Sequence, residues 1–519
     1  MGAWKTFAAV YFVSFLSVQV AFWFINGSTV GLIHAHARRL HMTLNQELLM
    51  LLGSIFIWTR VGNFLAPAGV AHPTKRSPSG TLLLPTSSSD VGGSSSLYNR
   101  FPQQQGTPAP PSGLLSKTAI RLIRLSLLIM LACAHASHVF YYILQGPEPN
   151  LLSYFCFICL GIYSFLLAFL IGFSLLNFFL RACTALSCGE RLCRPFLRLV
   201  CLRELCLNSR LQTGLSLLLT AFFAGLSLWC AAGLPAVNEV PIYIRGLPNQ
   251  FDGFKIAMLS DIHVGPTVGR TKVAAAVKLI NDLNVDMVAV IGDLVDGSYE
   301  DLHKAVEPLK YLQSSRGTYF VTGNHEYYFG DVDRWLDYLS TLGIHVLRNN
   351  HTRIFAPGRR SKQAADDASA GSDYLCVVGV DDVSAEGSGI HGHAYNYKDA
   401  AEACGDHTAA APGQKQPIRI LLSHHPSGAV SAGRLARQLR PDLVLSGHTH
   451  GGQLLVFMPL MWLRSPYFLG HYSVHGSSSD LSSQLRDMQI YVGPGAYYYA
   501  MPMKMCWLLQ ISVIVLKPA

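Results

Sequence analysis

Five short apolar runs in the C-terminal half of the chain each stop at residues able to bind a metal or move a proton. FKIAMLSDIH ends in Asp261 and His263, MVAVIGDLVD in Asp293 and Asp296, and TYFVTGNHE in Asn324, His325 and Glu326. IRILLSHHP ends in His424 and His425, and DLVLSGHTHGGQ in His448 and His450. Imidazole and carboxylate donors without a cysteine suit Zn, Fe or Mn rather than copper–thiolate chemistry. They exceed what one ion needs, so two divalent ions are expected. Two metals about 3.5–4 Å apart can clamp the attacking and leaving oxygens of a phosphoryl displacement and acidify a water between them. The two oxygens of Asp293 can bridge such a pair, and Asn324 adds a donor without adding charge.

Spacing alone does not make such a site. His34 and His36, and His391 and His393, share the separation of His448 and His450 but follow no apolar strand-like run. Both pairs read as loop histidines, and His345 in LGIHVL reads as a packed strand histidine. The Tyr497–Tyr499 run fits either a substrate groove or a packed rim. Gly451 and Gly452 are expected to let the backbone pass close to a substrate.

The elements that position these clusters follow from the pattern of the runs. Five or six apolar residues bounded by turn signals read as strands buried on both faces. Residues 268–283 place Val273, Val277, Ile280 and Leu283 on one helical face. Strands alternating with helices imply an α/β sandwich, in which ligands bind outside the carboxyl ends of the strands. All five clusters then belong on one edge. Residues 357–373 and 385–417, rich in Ala, Ser and Gly, read as flexible insertions.

In order along the chain stand D-x-H, G-D-x-x-D, G-N-H-E, a strand-final histidine and G-H-x-H. This set resembles the calcineurin-like metallophosphoesterase family over about residues 238–519. The resemblance implies a four-layer αββα sandwich and two metal ions, Mn, Fe or Zn. It implies that Asp261, His263 and His450 bind one ion, that Asp293 bridges, and that Asn324, His424 and His448 bind the other. His425 is passed over because His424 directly ends the run ILLS. His325 is implied beside the pair, stabilising the phosphoryl transition state or protonating the leaving group, with Asp296 and Glu326 orienting the ligands. Gly379, Val380, Asp381 and Asp382 match a further G-V-D-D element of membrane-anchored relatives. The C-terminal stretch departs from them, with Lys504 where an arginine is expected and Gln510 where a glutamate is. That puts substrate preference, not the ligand set, in question.

The first 235 residues have another character. Hydrophobic residues make up 50% of the chain and charged residues 14%, well below the roughly 25% of a typical soluble domain. Apolar stretches near 6–25, 44–66, 122–144, 152–180 and 212–234 suggest about five spans, the second interrupted by Arg60. Ionisable groups within them are otherwise nearly absent, which favours an anchor over a transport path. Residues 72–118, rich in Ser, Pro, Gly and Gln, read as a disordered linker. Two domains result: membrane region 1–235 and catalytic region 236–519.

Lys and Arg number 16 against 5 Asp and Glu in residues 1–235, and 24 against 26 thereafter. The basic excess therefore belongs to the membrane half, and nucleic acid is not expected as a partner. It gathers at 181–210 and 75–121, while the loop 145–151 has none. With positive residues inside, the catalytic region is expected in the lumen or outside the cell. The sequons at Asn26 and Asn350 fall on that same side. Cys183, Cys188, Cys193, Cys201 and Cys206 fit juxtamembrane palmitoylation or semi-buried helix packing equally. The catalytic half holds only Cys376, Cys404 and Cys506, too few for a disulfide scaffold.

The expected function is a membrane-anchored phosphohydrolase in which a metal-bridged hydroxide attacks phosphorus in line. Its substrate would be a phosphoester, with a lipid-linked phosphodiester or pyrophosphate suggested by placement at a bilayer. The alternative is a catalytically idle fold serving as a membrane receptor or scaffold.

Overall fold

The computed structural model describes residues 10–22 except 12, and 31–66, 116–185, 207–356, 374–404, 417–435, 439–474 and 488–519. Among the described residues, four helices are long and apolar enough to cross a membrane: α1 (Gly31–Leu65), α2 (Lys117–Ile143), α3 (Leu151–Ala185) and α4 (Ser209–Ala232). A shorter apolar helix, Val13–Phe22, covers the described part of the first expected span. Capping starts two of the long helices. The Ser116 side chain accepts from Ala119 N, and Asn208 from Arg210 N and Leu211 N. Most of the expected linker, 72–115, and four of the five clustered cysteines lie outside the described residues.

Ionisable groups other than Arg60 do meet within the spans. Glu47 of α1 pairs with His135 and, at 2.8 Å, with His138 of α2. The Ser54 hydroxyl meets His135 Nε2 at 3.0 Å. These residues escape the sequence pattern because each stands alone in an apolar stretch, and only the packing of α1 on α2 joins them. His34 and His36 are likewise helical, within α1, rather than in a loop.

The catalytic half holds β1 (Ala236–Ile244), β2 (Lys255–Leu259), α5 (Arg270–Asp282), β3 (Met287–Ile291), α6 (Tyr299–Val306), β4 (Thr318–Val321), α7 (Val332–Thr341) and β5 (His345–Val346). After them come β6 (Asn350–Phe355), β7 (Tyr374–Gly379), α8 (Tyr397–Glu402), β8 (Ile418–Leu422), α9 (Ser427–Gly433), β9 (Leu443–Ser446), α10 (Met458–Arg464), β10 (Gly470–Val474), β11 (Met488–Val492) and β12 (Gln510–Pro518). The strands form two mixed six-stranded sheets, ordered β1-β12-β2-β3-β4-β5 and β10-β11-β9-β8-β7-β6. Strands β2 to β5 run parallel, as do β7, β8, β9 and β11.

The alternation of strand side chains explains why the apolar runs are continuous. Ile256 and Met258 face the second sheet, among Val377, Ile420 and Leu445. Ala257 and Leu259 face the opposite way, with Val273, Ile280, Leu302 and Trp335 of the covering helices. On the far side, Val378, Leu421 and Val444 pack under Tyr397, Ala400, Ala429 and Ala432 of α8 and α9. The result is the four-layer αββα sandwich.

Residues 385–404, expected as part of a flexible insertion, are instead built in. Tyr397 and Ala401 are buried, and Cys404 pairs with Cys376 of β7 in a disulfide that fastens this segment to the sheet. Residues 357–373 and 405–416 lie outside the described residues.

The loop joining α2 to α3 docks on the catalytic half. Gln145 Nε2 donates to the carbonyl of Asp296 at 2.8 Å. Arg270 N donates to Pro147 O at 2.8 Å. The Glu148 carboxylate accepts from Thr271 N (2.8 Å) and its hydroxyl (2.6 Å). Helix α5 has no side-chain cap of its own, so a membrane-region carboxylate satisfies an orphan N–H at its first turn.

Candidate metal centre

Every cluster expected at a strand end is found there. Asp261 and His263 follow β2, Asp293 and Asp296 follow β3, and Asn324 to Glu326 follow β4. His424 follows β8, and His448 and His450 follow β9. The first sheet thus supplies the carboxylates, Asn324, His263 and His325, and the second supplies three histidines.

These loops bend in an unusual way. Asp261, His263, Asp293, His448 and His450 all have positive φ, between 50° and 70°. They make up five of the nine non-glycine residues with positive φ among those described. Such conformations cost on the order of 1 kcal/mol or more each and persist where surrounding structure over-determines them. Here they turn alternate side chains of a single loop toward a common centre. His448 and His450, two residues apart, reach different neighbours as a result.

The donor atoms form overlapping groups. Those of Asp261, His263 and His450 lie within 4.8 Å of one another, as do those of His263, Asp296 and His325 and those of Asp293, His424 and His448. His263 Nε2 faces His450 Nε2 at 2.9 Å, and His450 Nε2 lies 3.4 Å from Asp261 Oδ1. Asp293 Oδ2 stands between the groups, 3.0 Å from His424 Nε2 and 3.8 Å from His263 Nε2. Asn324 Oδ1 meets His448 Nδ1 at 2.9 Å. His425 Nδ1, by contrast, meets the Ser427 hydroxyl at 2.8 Å and makes none of these approaches, though its ring lies against His448.

The surrounding shell fixes which atoms point inward. His424 Nδ1 donates to Ile291 O (2.8 Å), and His263 Nδ1 meets Asp296 Oδ1 (2.8 Å), leaving Nε2 of each for the centre. Asp296 also holds His325 Nδ1 at 2.6 Å. The buried Glu326 carboxylate accepts from the backbone N–H groups of Asp293, Leu294, Val295 and Gly323, clamping two ligand loops together. A side chain at Gly323 would lie 2.3 Å from Asp293 Oδ1.

The electrostatics and the unused atoms fit a bound cation. Asp261 Oδ2 and His450 Nδ1 are buried without a hydrogen-bond partner. Burial, with His263 and Lys504 nearby, holds His450 well below the usual imidazole range. Burial, with His425 and His424 nearby, does the same for His448. Both therefore keep lone pairs free at neutral pH. Burial alone would raise Asp293, but His424, His325 and His263 outweigh it and hold it well below the usual carboxylate range. Burial would likewise depress His325, but Asp293 and Asp296 push it up to about 9.

Several residues at the centre carry no motif. The Tyr328 hydroxyl accepts from Asn324 Nδ2 at 2.8 Å, directing that amide's oxygen to His448. Its only sequence signal is a position four residues after Asn324. The Tyr499 ring lies 5.1 Å from that of His263 and 4.9 Å from that of His325. Tyr497 and Tyr498 are fully buried, so the tyrosine run divides between core and site rim.

Other expectations are corrected. His393 is a loop histidine as expected, but a buried one, with Nε2 3.0 Å from Asp333 and Nδ1 3.2 Å from the Tyr327 hydroxyl. His345 is on strand β5 but exposed, stacked on Tyr319. Gly451 and Gly452 serve packing rather than substrate approach. At φ 58° and 81°, they press so closely that a side chain would meet Leu508 at 2.5 Å and the Met458 backbone at 2.6 Å. Lys504, standing where an arginine is expected, is fully buried. Its buried ammonium donates to the carbonyls of Pro494, Gly495 and Tyr497, pinning the loop beside Asp261. Gln510 donates to the hydroxyls of Tyr491 and Ser512. Asp381 takes both Nε and Nη2 of Arg348, and Asp382 N donates to Thr322, so the G-V-D-D element braces loops behind the centre.

The comparison with known proteins adds to this geometry. A sequence model of the calcineurin-like phosphoesterase family matches residues 254–452. A transmembrane protein with metallophosphoesterase domain from Danio rerio is 36% identical over 401 residues, 77% of this chain and 81% of the relative. The chain belongs to the calcineurin-like metallophosphoesterase family. A putative metallophosphoesterase of Caenorhabditis elegans is 30% identical over 98% of this chain and 95% of its own length. A bacterial metallophosphoesterase from Helicobacter pylori is 31% identical over 55% of this chain and 64% of its length. The chain is accordingly a metal-dependent phosphoesterase with membrane-capable helices preceding its catalytic fold.

Proposed function

We propose that this metallophosphoesterase works with two divalent ions, Mn, Fe or Zn, on a phosphodiester or pyrophosphate borne by a lipid. The observation that carries the dinuclear reading is the convergence of five strand-end loops into neighbouring donor groups, with Asp293 Oδ2 3.0 Å from His424 in one and 3.8 Å from His263 in another. Asp261, His263 and His450 would hold one ion, and Asn324, His424 and His448 the other, with Asp293 shared. When bound, the ions supply water activation and charge neutralisation at phosphorus.

The chain's own residues do the rest. Asp296 fixes the rings of His263 and His325 by holding Nδ1 of both. His325, carrying a proton on Nε2, stands 3.9 Å from Asp293 Oδ2, placed to hydrogen-bond a phosphoryl oxygen or protonate the leaving group. Glu326 holds the Asp293 and Asn324 loops in register. Tyr499 and Tyr328 wall the centre beside His325. The idle-receptor alternative is not favoured, because all seven expected donors converge.

A lumenal or extracellular catalytic half is supported by the Cys376–Cys404 disulfide, which belongs in an oxidising compartment. The exposed sequon Asn350, on the edge strand β6, points the same way. The test is hydrolysis by the purified full chain in detergent, reloaded with each metal, on phosphomonoester, phosphodiester and pyrophosphate substrates. Metal-dependent turnover that Asp293→Ala abolishes is expected; turnover insensitive to chelation would overturn the reading. A glycosidase-sensitive mobility shift removed by Asn350→Gln tests the side.

A further inference from the structure

Eight residues after His450, helix α10 (MPLMWLR) has no buried residue. Leu460 is 52% exposed, Trp462 65% and Leu463 73%, and Leu455 just before the helix is exposed as well. A water-facing surface rarely presents large apolar side chains so densely. The residues leading into the helix show what covers them. Leu454, Val456 and Phe457 share one apolar cluster with Phe165 and Phe169 of α3 and Phe223 and Ala224 of α4.

The depth of that cluster follows from helix length. Helix α4 has 24 residues. A bilayer core of about 30 Å needs about 20 of them, so only about four can stand outside it. Phe223 and Ala224 lie nine and eight residues before its end at Ala232, beyond what can stand outside. The segment Leu454–Phe457 therefore lies at the depth of the apolar spans, and α10 continues from it with its leucines and tryptophan outward. Arg464 closes the helix, a cation able to reach back to the headgroups from an apolar stem. Tryptophan is the residue that interfaces favour.

We infer that α10 is an interfacial helix sunk into the leaflet next to the catalytic half, and that it brings lipid-borne phosphoester to the metal centre. Its first turn touches the catalytic loop directly, because a side-chain carbon at Gly452 would lie 2.6 Å from Met458 Cα. Gln453 ties the same loop to the site wall, its side chain donating to Tyr499 O at 3.0 Å and accepting from Tyr499 N at 2.8 Å. A short, rigid path thus connects the bilayer surface to His450 and Tyr499. Insertion stands on the apolar geometry alone; delivery rests on the phosphohydrolase reading above.

The experiment uses the full chain in phosphatidylcholine vesicles, with and without acyl-chain bromination. Subtracting the emission of Trp462→Phe from wild type isolates Trp462. A blue-shifted component, quenched at least twofold by brominated lipid and spared by aqueous iodide, is expected. A component quenched by iodide and untouched by brominated lipid overturns insertion. In the same vesicles, Leu460→Asp/Leu463→Asp is expected to lower turnover of a membrane-embedded p-nitrophenyl phosphodiester lipid at least tenfold. Soluble bis(p-nitrophenyl) phosphate should be hydrolysed as by wild type. Equal losses on both substrates, or none on the lipid, overturn delivery. No hydrolysis of either substrate by wild type sinks the phosphodiester reading and delivery with it, while the quenching still decides insertion.

Discussion

Two histidine pairs with the same spacing have opposite fates in this molecule. His448 and His450 leave a buried strand with positive φ at both positions and enter different donor groups. His391 and His393 follow a short turn; His391 is exposed, and His393 is buried with both ring nitrogens engaged by Tyr327 and Asp333. A metal-binding histidine needs one nitrogen fixed by the protein and the other left over. His424 has Nδ1 fixed on Ile291 O while its Nε2 faces Asp293 Oδ2 at 3.0 Å, whereas both nitrogens of His393 are engaged elsewhere. What separates the two pairs is the backbone that aims them.

That contrast can be broken by substitution. His450→Ala is expected to lower kcat/KM by about 10³-fold or more and to reduce bound metal, measured by turnover and elemental analysis. His393→Ala should leave metal content intact while lowering stability by about 1–3 kcal/mol, read from thermal unfolding, because Asp333 and the buried Tyr327 hydroxyl lose a partner. Similar metal loss in both variants would erase the distinction.

Glu326→Gln sharpens it from the supporting side. Replacing an acceptor-only carboxylate with an amide puts a donor among four backbone N–H groups. A loss of about 10–100-fold in metal affinity is expected without removal of any donor. Metal affinity equal to wild type would mean that the loops keep their shape unaided.

In the metal-free chain the two regions should also separate by pH. His325 is pushed up to about 9, above an unfolded value near 6.5. Its stabilisation is then fully present below pH 6.5 and is lost as pH rises through 9. The chelated protein should lose a few degrees of Tm across that interval, and His325→Gln should flatten the slope. The smallest effect is expected at Gln145→Ala, which removes the hydrogen bonds to Asp296 O and Tyr141 O. It should cost about 1 kcal/mol of stability and leave metal content unchanged.

The strand-end clusters were legible in the sequence because a strand buried on both faces writes its burial as a continuous apolar run. Its polar terminus then stands out, as in VLSGHTH. The αββα layering followed from the same runs. The docking of QGPEPNL on α5 was not legible, since Glu148 and Gln145 act on Thr271 and Asp296 only through tertiary contact. Tyr328, His393 and the Glu47 pair with His135 and His138 were missed for the same reason. Gly451 and Gly452 were read for the wrong reason: their openness is taken up by Leu508 and Met458, not by a ligand. Lys504 stands where the resemblance expects an arginine, and three loop carbonyls consume its donors.

The central claim is that Asp293 joins two metal-binding groups. Elemental analysis of the purified full chain, beside Asp293→Ala and with turnover of a phosphodiester followed in parallel, tests it most directly. The account predicts two divalent ions per wild-type chain, with metal content reduced and turnover abolished in the variant. Full metal content with unchanged turnover in Asp293→Ala would contradict it.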